Sequence, residues 1–174
     1  MLAELYIDNL FLIQPKEMKD DIYMPHLINP TRHKLVKFLE EKKNYDPSVL
    51  LEKVKDSWMI EEEIILLVKE KQYEPAIKIF IDNGQYVEAE KFCDHHSSLG
   101  LMTTLLKIYF DKFREHWDRR NRLLQEKKST ESIQEKEIAG QFKKQALDLM
   151  KRYSSGNQLD PHLVLELIPE DWDI

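Results

Sequence analysis

The sequence is poor in the residues that break regular structure, since its 174 residues include only four glycines and seven prolines. β-Hairpins and tight loops draw on both residues, so the chain has little material for an all-β fold. Charged residues make up 33% of the chain, with leucine, isoleucine, glutamate and lysine abundant. This balance is typical of long amphipathic helices.

The chain also lacks an excess of positive charge, and it has a single cysteine, Cys93. One cysteine excludes an internal disulfide and fits a reducing compartment. The net charge of −6 argues against general affinity for nucleic acid or for anionic membranes.

Long hydrophobic runs are missing as well, and no apolar stretch reaches the length of a transmembrane helix. The N-terminal stretch, residues 1–15, is apolar but contains Glu4 and Asp8 and has no basic residue ahead of its apolar part. It is a poor signal peptide, and we expect no insertion of this chain into a membrane.

Motifs that carry chemistry are absent, because the sequence contains no GxGxxG, Walker loop, CxxC or HExxH. The Asp-His-His run at 94–96 is the nearest approach to a metal site, but adjacent helical side chains point about 100° apart. We interpret it as a solvated helix end, and Cys93 as a buried small residue. The glutamate run at 61–63 is interpreted as a solvated face. We therefore expect no enzyme, no metal site and no cofactor.

One phrase of the sequence occurs twice: DPSVLLEKVKDSWMI at 46–60 matches DPHLVLELIPEDWDI at 160–174. In each copy an aspartate precedes a proline. The carboxylate can accept the free N–H groups of a first helical turn, and proline has its φ already set. Apolar residues follow at helical spacing, and a tryptophan can cover the helix end. Each copy predicts a short helix, and the abrupt end of the second copy suggests a boundary inside a longer solenoid.

A shorter echo lies between the two copies. QYEPAIK at 72–78 resembles QYVEAEK at 85–91, and Asn83-Gly84 between them favours a helix stop. With the apolar-periodic stretch 59–72, this gives three short helices in a row with alanines at matched positions. The pattern predicts an all-α fold, and more specifically an α-solenoid of stacked helical hairpins of the clathrin-repeat or TPR-like kind.

The remaining sequence fits a single helical-repeat domain over 1–174, expected to be a fragment of a longer solenoid. The stretch 14–31 contains three prolines and 128–140 is polar without a periodic apolar face, so both are predicted to be loops. Helices are predicted at 2–13, 32–43, 101–128 (as one helix or two) and 141–153. The inward face of the first helix is expected to carry Leu2, Leu5, Tyr6 and Ile13.

The most basic stretch is KFREHWDRRNRLLQEKK, residues 112–128. A nucleic-acid interpretation would use its arginines, with Trp117 for base stacking. Acidic residues four positions before Arg119 and Arg122 instead favour a solvated helix face laced with ion pairs. A short basic surface for an acidic partner protein stays open, and its candidate residues are Arg114, Arg119 and Arg122.

Four segments occur in a characteristic order: RHKLVKFLEEKKNYDP at 32–47, the Ala-Glu-x-x-Cys segment at 89–93, LLKIYFD at 105–111 and LDPHLVLELIPEDW at 159–172. In this order and spacing the chain resembles the C-terminal α-solenoid of the Vam-six/Vps-thirty-nine and Vps-three (TGF-β receptor-associated protein) family of HOPS and CORVET tethering subunits. The similarity covers about residues 32–174 and includes no catalytic motif.

The resemblance implies a scaffold in the endosomal, vacuolar or lysosomal tethering complexes that act before SNARE-mediated fusion. It implies attachment to the class C core through the subunit Vps-eleven, with other tethering subunits or receptor tails as further partners. It also implies a cytoplasmic chain, peripheral on those membranes. Family members usually add a cysteine-rich zinc-binding segment, which the lone Cys93 cannot form. Two alternatives stay open: a helical-repeat adaptor of another coat or trafficking complex, and a nucleic-acid-binding helical domain.

Overall fold

The computed structural model describes residues 2–13, 30–42, 44–97, 100–153, 156 and 158–168. Within them the structure has nine α-helices and no strand, which confirms the all-α fold class. None of these helices combines the length and the apolar character that crossing a membrane requires. The helices are α1 (Leu2–Ile13), α2 (Pro30–Glu41), α3 (Pro47–Val54), α4 (Ile60–Lys69), α5 (Tyr73–Asp82), α6 (Tyr86–His95), α7 (Leu101–Gln125), α8 (Ser129–Tyr153) and α9 (Pro161–Leu167).

The residue contacts cluster into two compact units, Met1–Ile79 and Phe80–Ile174. In the first unit α1 packs on α2 and α3, and α4 packs on α2 and α3. The prediction of one repeat domain over 1–174 stays a prediction. Aliphatic side chains fill the core of the first unit, among them Ile7, Leu10, Leu35, Leu39, Leu50, Val54 and Leu66.

Helix α1 turns a different face to this core from the one expected. It buries Ala3 and two larger residues of the same face, whereas Leu2, Leu5 and Ile13 are 50%, 60% and 71% exposed. The predicted inward face was therefore wrong for these three residues, and Tyr6 is half-buried. The helix is apolar on two sides, so its periodicity alone did not identify the side that packs.

Both Asp-Pro phrases form the predicted capped helix. Asp46 accepts a hydrogen bond from the Ser48 N–H at 3.0 Å, at the start of α3. Asp160 accepts from the N–H groups of His162 and Leu163 at 2.9 and 3.4 Å, at the start of α9. In each helix a proline occupies the first turn, where its missing N–H costs no hydrogen bond.

The tryptophan of the first copy follows α3 and packs on α1, and its covering of the α3 end stays a prediction. Trp58 meets Phe11 of α1 edge to face, with ring centroids 6.3 Å apart. The guanidinium carbon of Arg32 lies 5.2 Å from the centroid of the same indole. The tryptophan of the second copy, Trp172, lies outside the described residues.

The shorter echo also forms two helices that start alike, α5 at Tyr73 and α6 at Tyr86. The matched alanines, Ala76 and Ala89, are both fully buried. Gly84 separates the helices with a φ of +71°, a conformation that costs glycine little. The predicted helix stop between the echoes is confirmed.

The second unit is dominated by α7 and α8, two helices of 25 residues each that pack along one another. The stretch predicted at 101–128 as one helix or two is one helix. Aromatic rings join the pair, since Tyr109 and Phe142 have centroids 6.5 Å apart and Tyr86 of α6 lies 6.2 Å from each of them.

The loop predicted at 128–140 was wrong, because α8 begins at Ser129 and the helix predicted at 141–153 is only its second half. The first half of α8 buries two small residues, Ser132 and Ala139. Large aliphatic residues therefore do not recur at helical spacing on its buried side, and the sequence pattern did not indicate a helix. Of the loop predicted at 14–31, residues 14–29 lie outside the described part, and the last two residues open α2.

Candidate functional site

Arg114, the first of the predicted partner-binding arginines, lies where α7 meets the end of α9. Its Nη2 donates to the carbonyl of Leu167 at 3.0 Å. Its Nη1 lies 3.6 Å from a carboxylate oxygen of Asp111, and the side chain is 47% exposed. Arg114 therefore provides a positive charge to the last turn of α9, where the helix dipole is negative, and it keeps half of its surface in solvent.

Arg119, the second candidate, is held within the helix pair. Its Nη2 lies 3.1 Å from Glu115, the partner that the sequence spacing predicts. Its Nη1 also lies 3.5 Å from Glu135 of α8, a residue in the stretch that was expected to be a loop. Because Arg119 is paired with two glutamates, its positive charge is less available to a binding protein than the i,i+4 pair alone indicated.

Glu135 is the centre of this contact between α7 and α8. It accepts a hydrogen bond from Nδ1 of His116 at 2.6 Å, and both side chains are 15% exposed. The His116 ring stacks on Phe142, with centroids 5.6 Å apart and planes 14° apart. The His116 hydrogen bond, assisted by the charge of Arg119, holds the pKa of the Glu135 carboxyl below its usual range.

Arg122, the third candidate, is exposed, and among the ion pairs of the described residues none joins it to Asp118. The neighbouring Trp117 stacks on Phe113 at 5.7 Å, and Arg120 lies 4.6 Å over its ring. The indole is therefore engaged within α7, which weakens the base-stacking interpretation of this stretch. The three candidate arginines do not converge on one site.

A buried ion pair in the first unit could not be predicted from the sequence. Arg32 of α2 donates from Nε and Nη2 to the two carboxylate oxygens of Glu62 of α4, at 2.7 and 2.9 Å. Glu62 is 0% exposed, so the interpretation of the glutamate run at 61–63 as a solvated face was wrong at its central residue. The helical periodicity around Glu62 could not indicate that Arg32, thirty positions earlier, is its partner. Because the two buried side chains are joined by two hydrogen bonds, we assign the pair a structural role.

Cys93 is fully buried, as predicted. Burial, and then the charge of Glu90, raises the pKa of its thiol to about 12, so the thiolate that a nucleophile needs does not form at neutral pH. His95 beyond it is exposed, and Nδ1 of His96 lies 2.9 Å from the Phe92 carbonyl oxygen. Across the described ranges, no three His, Cys, Asp or Glu side chains could jointly hold a metal ion.

A groove of about 400 Å³ in the first unit lies between the start of α1 and the start of α3. Its polar groups have structural tasks: the Tyr45 hydroxyl donates to the Leu39 carbonyl at 2.7 Å, and Asp46 caps α3. Burial raises the pKa of Tyr45 to about 12. Glu4 and Asn44 also line the groove, beside apolar side chains, and this set does not combine an acid, a base and a nucleophile.

Helix α9, the second Asp-Pro helix, is attached to α7 at both ends. The N–H of Asp160 donates to the Thr103 hydroxyl at 3.1 Å, and Arg114 donates to the Leu167 carbonyl at 3.0 Å. The two helices therefore lie side by side and run in the same direction. Because both ends are fixed, the outward surface of α9 has a defined position in the second unit.

The exposed surface of α9 is mixed, since His162 and Glu166 are exposed together with two leucines. Leu165 is 72% exposed and Leu163 is 46% exposed, while Val164 and Ile168 are half-buried. No interaction residue was predicted in α9 from the sequence.

A scan against protein-family models finds no match for this chain, and searches of curated proteins and of solved structures find none either.

Proposed function

We propose that this chain is a scaffold segment of an endosomal, vacuolar or lysosomal membrane-tethering subunit of the Vam-six/Vps-thirty-nine and Vps-three kind. In this role it assembles proteins for vesicle fusion and vacuolar protein sorting. The observation that carries the proposal is the repeated Asp-Pro helix. The same phrase forms the same capped helix twice, in an all-helical chain whose segment order resembles that family.

The proposal includes an α-solenoid of stacked helical hairpins. Its support is the succession of short helices with matched starts at Tyr73 and Tyr86, and the pairing of α3 with α4 and of α7 with α8. In such stacks each helical pair packs chiefly on its neighbours, so function lies in surfaces rather than in a central cleft.

A binding role without catalysis agrees with where the polar groups lie. The buried Glu62 is held by Arg32, the half-buried Glu135 by His116, and Cys93 is a buried neutral thiol. These groups have structural partners or are shielded from solvent. We propose that the chain has no enzymatic activity and acts as a cytoplasmic protein, peripheral on endosomal and lysosomal membranes.

The proposed partner is the class C core subunit Vps-eleven. The direct experiment is a calorimetric titration of this chain with the C-terminal half of that subunit, with circular dichroism to establish that the chain is folded. We expect saturable binding of one chain per core subunit. A helical chain that releases no heat and forms no complex would contradict the proposal.

The same titration separates the alternatives. An oligonucleotide titrated at low and at physiological salt tests the nucleic-acid interpretation, because phosphate contacts give affinity that falls steeply with salt. Binding to the oligonucleotide but not to the core subunit would favour that reading. Binding to neither would favour an adaptor of another complex.

A further inference from the structure

Helix α1 has two apolar faces, and it packs on α2 and α3 through one of them. The packed face buries three residues, Ala3, Ile7 and Leu10. Since successive helical residues are about 100° apart, the far side of α1 carries Leu2, Leu5 and Leu12. These leucines are 50%, 60% and 82% exposed, and Asn9 is exposed among them.

The exposed side of α1 has the spacing of a coiled-coil seam. From Leu2, the steps to Leu5, Asn9 and Leu12 are three, four and three residues, as between the a and d positions of a heptad. Ile13 is 71% exposed beside this row. A row of this kind is buried by a second helix that lies along it.

Asn9 indicates what the second helix is. An amide contains both a donor and an acceptor, so Asn9 of one copy can bond to Asn9 of another. In a parallel pair in register the two amides meet, and each leucine of the row meets its own counterpart. In an antiparallel pair Asn9 would instead lie against Leu5 and lose its hydrogen bonds to water without replacement. A single asparagine at an a position fixes register in this way.

The edges of the row allow two copies to approach. Asp8, at one edge, has a compensating charge, because the Lys53 Nζ lies 3.1 Å from its carboxylate. Tyr6 and Ile13, at the other edge, are uncharged. A parallel pair places Asp8 of one copy beside Ile13 of the other, which keeps like charges apart. The packing on α2 and α3 already holds α1 as a helix, so pairing requires no new helix to form.

We infer that two copies of this chain associate through the exposed side of α1, as a parallel helix pair with Asn9 against Asn9. The seam is short, since twelve residues span about 18 Å. The interface therefore belongs to the small, transient class. The inference goes beyond the proposed function and does not depend on it.

Sedimentation velocity of the whole chain over a dilution series measures the association. We expect a monomer–dimer equilibrium. Leu5→Glu weakens it by about tenfold or more, because the two copies then place like charges in the seam. Leu124→Glu is the matched control, since Leu124 is 46% exposed on α7, and it leaves the equilibrium unchanged. Both variants alter exposed side chains, and circular dichroism reports whether they stay folded.

Cysteine cross-linking tests the direction of the pair. In a parallel pair, Leu5→Cys brings the two new thiols close enough for a disulfide, and mild oxidation yields a covalent dimer. In an antiparallel pair, a mixture of Leu5→Cys and Asn9→Cys would cross-link instead. Cys93 is fully buried, so the wild-type chain is a control without a cross-link. Leu124→Cys measures the background from random collisions.

A chain that stays monomeric at every concentration would overturn the inference, as would a dimer that Leu5→Glu leaves intact. Cross-linking in the mixture of Leu5→Cys and Asn9→Cys, without cross-linking of Leu5→Cys alone, would also overturn it. The calorimetric titration with the core subunit is a separate measurement. Either proposal can therefore fail while the other stands.

Discussion

At the scale of single residues, the Arg32–Glu62 pair decides how α2 and α4 meet. The two carboxylate oxygens of Glu62 receive both guanidinium bonds, and the carboxylate has no contact with solvent. The arginine also lies over Trp58, which ties the closing residue of the first Asp-Pro phrase to the same contact. A buried pair of this kind adds little net stability, but loss of one partner leaves an uncompensated charge.

Arg32→Met is therefore expected to lower the free energy of unfolding by about 3 kcal/mol or more, since Glu62 stays buried without its counter-charge. Urea denaturation followed by circular dichroism measures this change. The double variant Arg32→Met/Glu62→Met should recover most of the loss. Arg152→Met is the control, because its pair with Glu90 leaves Arg152 51% exposed and should cost less than about 1 kcal/mol. Equal losses for the two single variants would contradict this account.

Glu135 gives a second residue-scale prediction, on pH. Its pKa in the folded chain is lowered, chiefly by the His116 hydrogen bond, relative to an unfolded value of about 4.3. The ionised Glu135 therefore stabilises the fold at pH values above its unfolded pKa. This contribution is lost as the pH falls through its lower pKa in the folded chain. Glu135→Gln should lower the free energy of unfolding by about 1 kcal/mol at neutral pH, and this difference should shrink below about pH 4.

The measurement is urea unfolding of wild type and variant from neutral to acidic pH. Glu137→Gln, at an exposed position of the same helix, is the control and should track wild type at neutral pH. A difference between Glu135→Gln and wild type that grows on acidification would refute the assignment.

At the scale of elements, α8 is the helix whose extent the sequence concealed. Its first half buries Ser132 and Ala139 and holds Glu135 against His116 of α7. Gly140 lies within this helix, and a Cβ there would meet no atom within 4 Å. Since glycine is a poor residue for a helix interior, its presence agreed with a loop interpretation.

Gly140→Ala should therefore raise the free energy of unfolding by about 0.5–1 kcal/mol, since alanine reduces the freedom of the unfolded chain and fits the open space. Thermal unfolding by circular dichroism measures the shift. Gly84→Ala is the opposing control, because its φ of +71° strains any side chain, and it should destabilise. No gain at Gly140 would indicate that this part of the chain is not held as a helix.

Helix starts and stops that depend on neighbouring residues could be predicted from the sequence. Asp46 and Asp160 begin helices because their carboxylates bond to the N–H groups of the adjacent first turn, and Gly84 ends one through its own backbone conformation. The contacts between distant helices could not be predicted from the sequence. Glu62 is buried with Arg32 as its partner from another helix. Leu5 is exposed because α1 is apolar on two sides and packs through the other one.

The candidate site shows the same division. Arg119 was placed correctly beside Glu115, because an i,i+4 pair is a local feature. Its second partner, Glu135, and the position of Arg114 at the end of α9 depend on how distant helices meet, which no spacing encodes. The repeated phrase did not reveal that Leu51 is buried while its counterpart Leu165 is exposed, because this difference also depends on which helices pack nearby.

At the scale of the whole molecule, we propose a scaffold whose helices offer surfaces to other proteins. The paired helices and the repeated capped helix are the features that support this proposal. Helix α9 is fixed to α7 at both of its ends.

The measurement that tests this most directly is amide hydrogen exchange of the chain, alone and with the C-terminal half of the class C core subunit. Exchange reports which backbone segments a partner stabilises or shields. We predict that the core subunit slows exchange in at least one of the described helices. Exchange that is the same with and without the core subunit in every described helix would contradict the proposed scaffold role.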